Sequence, residues 1–182
     1  GALDAHASDK AARFLQLCDA FGLPVVALSD APGFMVGPDS EAVAAVRRTA
    51  RMFVAAANLT VPFFNVVLRK GYGLGAQAMA GGHFHAPVFT VAWPTGEFGA
   101  MNLEGAVRLA MRRELEAIVD EEQRKATLAQ MVEIAYERGK ATEVASLVEL
   151  DAVIDPADTR RWLLRGLRSV PAERGGRWID TW

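Results

Sequence analysis

One cysteine, Cys18, stands among 182 residues, so no disulfide framework can form within the chain, and that scarcity fits a reducing cytosol. An excess of one charge is also missing. Twenty Lys+Arg against 22 Asp+Glu give a net charge of −2 and lack the electrostatic footprint of a nucleic-acid or anionic-membrane binder. Two stretches, Met52–Leu68 and Gly71–Gly96, carry no Asp, Glu, Lys or Arg. Asn58, Pro62 and Asn65 in the first, and the glycines, prolines, His83 and His85 in the second, argue against a membrane span. No basic-then-apolar leader opens the chain, and a first residue of Gly rather than Met reads either as an internal start, compatible with a larger parent, or as one introduced by cloning. What is present is a globular composition, 51% hydrophobic and 23% charged, at a length that favours a single domain spanning 1–182.

Apolar periodicity alternates between helix and strand. A helix capped by Ser8 or Asp9 and running to Phe21 places Phe14, Leu17, Cys18 and Phe21 on one face, and Gly22 stops it. Leu23–Leu28 reads as a short buried strand, followed by a turn-rich loop through Pro32, Gly33, Gly37 and Pro38. A second helix fits Ser40–Ala57, with Val43, Val46, Ala50, Phe53 and Ala57 on its stripe. Phe63–Leu68 is a second strand, which Gly71, Gly73 and Gly75 break before a short helix at Ala76–Ala80. Val88–Ala92 is a third strand, Leu103 to about Arg138 is largely helical, and Thr142–Leu150 follows. A short strand at Ala152–Ile154 and a helix over Pro156–Leu167 come last. The alternation predicts an α/β fold with a mostly parallel sheet.

Side chains that could carry chemistry are few. Cys18 lies on an apolar stripe and reads as core. No G-x-S-x-G elbow, GxGxxG or Walker motif occurs. His83 and His85 are two apart, a spacing that points them to opposite sides of an extended chain, so a structural role is favoured over metal ligation. The arginines at 160, 161, 165, 168, 174 and 177 read as a solvated face, partly balanced by Asp155, Asp158, Glu173 and Asp180. What remains is backbone chemistry. A strand ending near Lys70, then glycines, then a helix start can present N–H groups to a developing oxyanion.

Six segments in order sharpen this reading: Ala7–Phe14, Cys18–Phe21, Asp30-Ala31-Pro32-Gly33-Phe34 with Gly37, Arg69-Lys70-Gly71-Tyr72-Gly73, Trp93-Pro94-Thr95 with Glu97, and Gly105-Ala106-Val107. Together with Asp151–Pro156 they resemble the C-terminal half of the carboxyltransferase β-subunit of biotin-dependent acyl-CoA carboxylases, over nearly the whole chain to about Val170. The resemblance implies a crotonase-like (ClpP-type) spiral of β-β-α units and a site shared between two halves. One is a CoA-binding N-terminal half; the other, this chain, receives carboxybiotin from a biotin carboxyl carrier protein. It further implies that the backbone N–H groups of Leu74 and Gly75 form an oxyanion hole for the biotin ureido oxygen. Pro32, Gly33, Phe34, Tyr72 and Gly73 would adjoin the biotin, and Gln77 would fall where relatives choose their acyl chain length. By the same resemblance the substrate is an acyl-CoA, no metal is needed in this domain, and the protein is a cytoplasmic homo-oligomer. The family usually has Gly-Gly-Ala after the tyrosine, whereas this chain has Gly73-Leu74-Gly75. Other readings stay open: a biotin-dependent decarboxylase half, a hydratase or isomerase using Glu97 or Glu104 as acid/base, and a non-catalytic docking or oligomerisation module.

Overall fold

The computed structural model describes residues 1–170; the expectations for Glu173, Arg174, Arg177 and Asp180 lie outside the described residues. Five strands form one all-parallel sheet: β1 (Val25–Ala31), β2 (Phe63–Tyr72), β3 (Phe89–Ala92), β4 (Glu97–Gly99) and β5 (Ala152–Val153). The order is β1-β2-β3-β5, with β4 also on β2. The ten-residue β2 makes this possible: Phe64–Val67 pair with β3, and Lys70–Tyr72 pair with β4.

Helix α1 (Ala5–Ala20) begins four to five residues before the expected start, because Asp4, not Ser8 or Asp9, is the cap: its carboxylate accepts the Ala7 N–H at 2.6 Å. Its inner face is Ala5, Ala12, Leu15 and Cys18, whereas Phe14, Leu17 and Phe21 of the predicted stripe face outward. Small residues sit inside because α1 packs closely against α3 (Ala45–Ala57), and Ala12, Leu15 and Cys18 share a core with Met52, Ala55 and Ala56. The predicted second helix is two: α2 (Pro38–Ala42) ends before Ala44, whose left-handed φ of 57° breaks the run. As a result Val43 and Val46 are exposed, and the buried face is Ala45, Met52, Ala55 and Ala56.

Strand β1 starts at Val25 rather than Leu23, since Pro24 has no N–H for a ladder, and it runs on to Ala31 because β2 also continues past Leu68. Gly71 stays within β2 instead of breaking it. Helix α4 (Gly73–Met79) follows directly, three residues earlier than expected. The predicted long helix is three: α5 (Leu103–Ala110), α6 (Arg112–Ala117) and α7 (Glu121–Gly139), with Asn102 and Asp120 as fresh N-caps. Then come α8 (Ala141–Ser146), a 3₁₀ turn at Pro156–Asp158 and α9 (Thr159–Ser169). Phe64, Val66, Phe89 and Val91 meet Trp162 and Leu163 of α9 on the second sheet face. Each such side chain contributes roughly 1.5–3 kcal/mol by leaving water.

Candidate functional site

Parallel strands put the carboxyl ends of β1, β2 and β4 at one edge of the sheet, the usual place for a site in an open α/β sheet. The pairing of β1 with β2 slips between Ser29 and Ala31, where Ser29 faces Val67 but Ala31 faces Gly71. Asp30 occupies the slip. Its Oδ1 accepts the Lys70 N–H at 3.0 Å, while Arg69 donates to Oδ1 through Nε at 3.4 Å and to Oδ2 through Nη2 at 3.1 Å. Partial burial pushes the Asp30 carboxyl up, but the Lys70 N–H and the Arg69 guanidinium outweigh it and hold the group below its ordinary value. One carboxylate thus ties the end of β1 to the strand that carries the next part of the site.

Beyond Ala31, the segment Pro32-Gly33-Phe34 crosses the edge. It is held on one side by Leu3, whose N–H donates to Gly33 O at 3.0 Å and whose carbonyl accepts the Met35 N–H at 2.8 Å. The Phe34 ring lies 6.4 Å from that of Phe53 on α3. On its other side this loop meets α4 backbone to backbone: a Cβ added at Gly75 would sit 2.6 Å from the Gly33 carbonyl carbon and 2.9 Å from Phe34 N. Only glycine permits that approach.

The turn from β2 into α4 is fixed from a third direction. Tyr72 is fully buried and its hydroxyl donates to Glu97 Oε2 at 2.7 Å. Burial pushes the phenol pKa up, and the adjoining Glu97 carboxylate pushes it further, so the ring stays a neutral donor. Gly73 has φ +56°, and a side chain there would meet Ala100 O at 2.6 Å. Leu74 is 62% exposed, so its side chain turns away from the Gly33–Gly75 contact. No side chain caps α4, and N–H groups in a first helical turn have no intrahelical acceptor.

The structure therefore brings Pro32, Gly33 and Phe34 together with Tyr72, Gly73, Leu74 and Gly75, and places Gln77, half-buried, further along α4. Tyr72 joins the group through its backbone, its ring being turned inward. Glu104 is not part of it: it sits on exposed α5, paired with Arg108 at 2.8 Å. His83 accepts the His85 N–H at its own Nδ1 (3.0 Å), and His85 Nε2 lies 3.6 Å from Glu149. Cys18 is buried, and desolvation pushes its thiol pKa up. Sequence reasoning missed β4 and Ala100 altogether. The available signal was Gly96 and Gly99 bracketing Glu97-Phe98, too short a run to show strand periodicity.

Residues 1–173 match the family model of the carboxyl transferase domain. The chain is 38% identical over 174 residues to the propionyl-CoA carboxylase carboxyltransferase subunit of Haloferax mediterranei, covering 96% of this chain and 33% of that one. It is 58% identical to a solved single-chain, multi-domain long-chain acyl-CoA carboxylase, with a TM-score of 0.80 over 91% of this chain and 16% of the other. Against the crystal structure of transcarboxylase 12S the identity is 35% and the TM-score 0.84, covering 99% of this chain and 34% of the other. The chain thus spans about a third of the length of the curated relatives it matches.

Proposed function

Because the chain belongs to the carboxyl transferase domain family and shares its crotonase-like fold, we propose that it is the biotin-side half of an acyl-CoA carboxyltransferase. Its partners would be a CoA-binding half and a biotin carboxyl carrier protein, and its acceptor an acyl-CoA. The observation that carries this reading is the uncapped first turn of α4, held against the Pro32–Phe34 loop by the glycine-only contact at Gly75.

Biotin, when bound, supplies the carboxyl group and a ureido oxygen on which negative charge gathers as that group leaves. The Gly33–Gly75 contact leaves no room even for a Cβ, so such a group would meet the turn from its open side, where Leu74 is exposed and no side chain caps the helix. The N–H groups of Leu74 and Gly75 would donate to the oxygen, preorganised by the fold rather than by a titrating side chain. Pro32, Gly33, Phe34, Tyr72 and Gly73 would form the wall beside it, and Gln77 would reach toward the acyl chain. The reading requires neither a metal ion nor an acid/base side chain from this domain. Glu97, the carboxylate nearest this turn among those weighed as an acid/base, already accepts the Tyr72 hydroxyl, which disfavours the hydratase alternative.

The test is reconstitution. Combined with the CoA-binding half of its own enzyme and a carboxybiotin-charged carrier, the chain should support carboxyl transfer to an acyl-CoA, followed as labelled carboxyl in the product. Transfer that proceeds equally well without the chain overturns the proposal.

A further inference from the structure

Three consecutive residues of the β2–α4 turn are each held by β4 or by the residue just after it. Gly71 faces the Phe98 ring so closely that a Cβ there would sit 2.9 Å from two ring carbons. Tyr72, with none of its surface exposed, places its hydroxyl 2.7 Å from Glu97 Oε2. Gly73 approaches Ala100 O to within what would be 2.6 Å of a Cβ. Two of these contacts are steric and forbid motion toward β4. The Tyr72–Glu97 bond is the attractive one and forbids motion away. Glu97 is itself fixed in the ladder, opposite Lys70 of β2, and its backbone forms an isolated antiparallel β-bridge with that of Lys140 just after α7.

We propose that Tyr72 and Glu97 are positioning residues: their part-buried hydrogen bond sets the height of the β2–α4 turn, and with it the backbone of Leu74 and Gly75, without either side chain reaching the reacting groups. This rests on the carboxyltransferase reading above for its catalytic consequence, but the mechanical part stands on the contacts alone. A pinned backbone matters here because donors misplaced by a fraction of an ångström no longer meet a developing oxyanion.

The experiment compares wild type with Tyr72→Phe and Glu97→Gln. Tyr72→Phe keeps the buried ring and removes only the hydroxyl. Glu97→Gln keeps an oxygen able to accept it. Amide hydrogen exchange in the 182-residue chain should quicken roughly tenfold in Tyr72→Phe at residues 76–79, whose amides donate to the carbonyls of 72–75, the equivalent of one lost hydrogen bond, while β1 and α1 amides keep their rates. Glu97→Gln should retain most of that protection. In the reconstituted enzyme, Tyr72→Phe should lower kcat about tenfold and leave the KM for the acyl-CoA unchanged. Unchanged exchange at 76–79, or equal quickening throughout the chain, overturns the proposal; the second result would mean general destabilisation. If the wild-type protein transfers no carboxyl group, the functional reading falls, and the exchange pattern alone still decides whether the turn is pinned by this pair.

Discussion

Leu74 and Gly75 are neighbours with opposite demands. Leu74 exposes its side chain and offers the site only an N–H, so a smaller side chain costs little there. Gly75 is pressed against Gly33 and Phe34 N, so any Cβ displaces backbone, and proline would also remove the donor. In the complete enzyme Leu74→Ala should keep most carboxyl transfer, whereas Gly75→Pro should lose roughly 10²–10³ in rate. Equal losses in both would mark the turn as packing rather than an oxyanion hole. Asp30 is a second case of one residue with a local task. Its folded pKa is lowered, so its stabilising effect is complete above the ordinary value of 3.8 and disappears as pH falls through the lower folded value. Asp30→Asn should therefore unfold at less urea than wild type at pH 7, and the gap should narrow steadily below pH 3.8. A gap that persists unchanged at pH 2 would rule out the charge as the cause. The family resemblance pointed to the Leu74 and Gly75 N–H groups, but the Gly75–Gly33 contact and the Asp30 tie were not written in the sequence beyond residue type. The glycines announced a turn, but which of them touches which backbone depends on β1 and β4 arriving from elsewhere in the chain.

Elements were legible where their periodicity is internal and illegible where a partner defines them. The parallel sheet, β2, β3 and α9 follow from apolar runs and from turn residues beside them. The burial stripes of α1 and α3 do not, because each helix has apolar residues on two sides and only packing selects the one with alanines. β4 is three residues long and exists because β2 is long enough to receive it. Contacts between distant elements also decide stability. Asp19, near the end of α1, is 5% exposed and accepts from Thr60 N (2.7 Å), Thr60 Oγ1 (2.9 Å) and Val61 N (3.1 Å), fastening α1 to the approach to β2. Asp19→Ala leaves those donors unmet in a largely buried place. It should cost about 3 kcal/mol, on the order of 10 °C in thermal midpoint, measured by calorimetry or circular dichroism. A shift under 2 °C would show that water replaces the carboxylate freely.

At the scale of the molecule, the surface is more apolar than a domain standing alone requires. Phe14 (58% exposed) and Phe21 (74%) project from the outer side of α1, joined by Leu17. Val26 and Leu28 are exposed on β1, which ends the sheet and has no strand on its free side among the described residues. An unpaired strand edge and bare aromatic side chains are both surfaces that association covers. We therefore expect a dimer or larger assembly of the 182-residue chain at micromolar concentration by sedimentation equilibrium, with association driven by these side chains rather than by charge. Raising salt should leave it intact, because the chain's net charge is only −2 and few ion pairs are at stake. Replacing Phe14 and Phe21 together by Glu puts two like charges on the outer side of α1 without touching its inner face, where Ala12, Leu15 and Cys18 pack. The double variant should stay folded by circular dichroism and sediment as a smaller species than wild type. A wild-type chain that is already monomeric at that concentration, or a double variant that assembles as before, would place the association surface elsewhere or deny it.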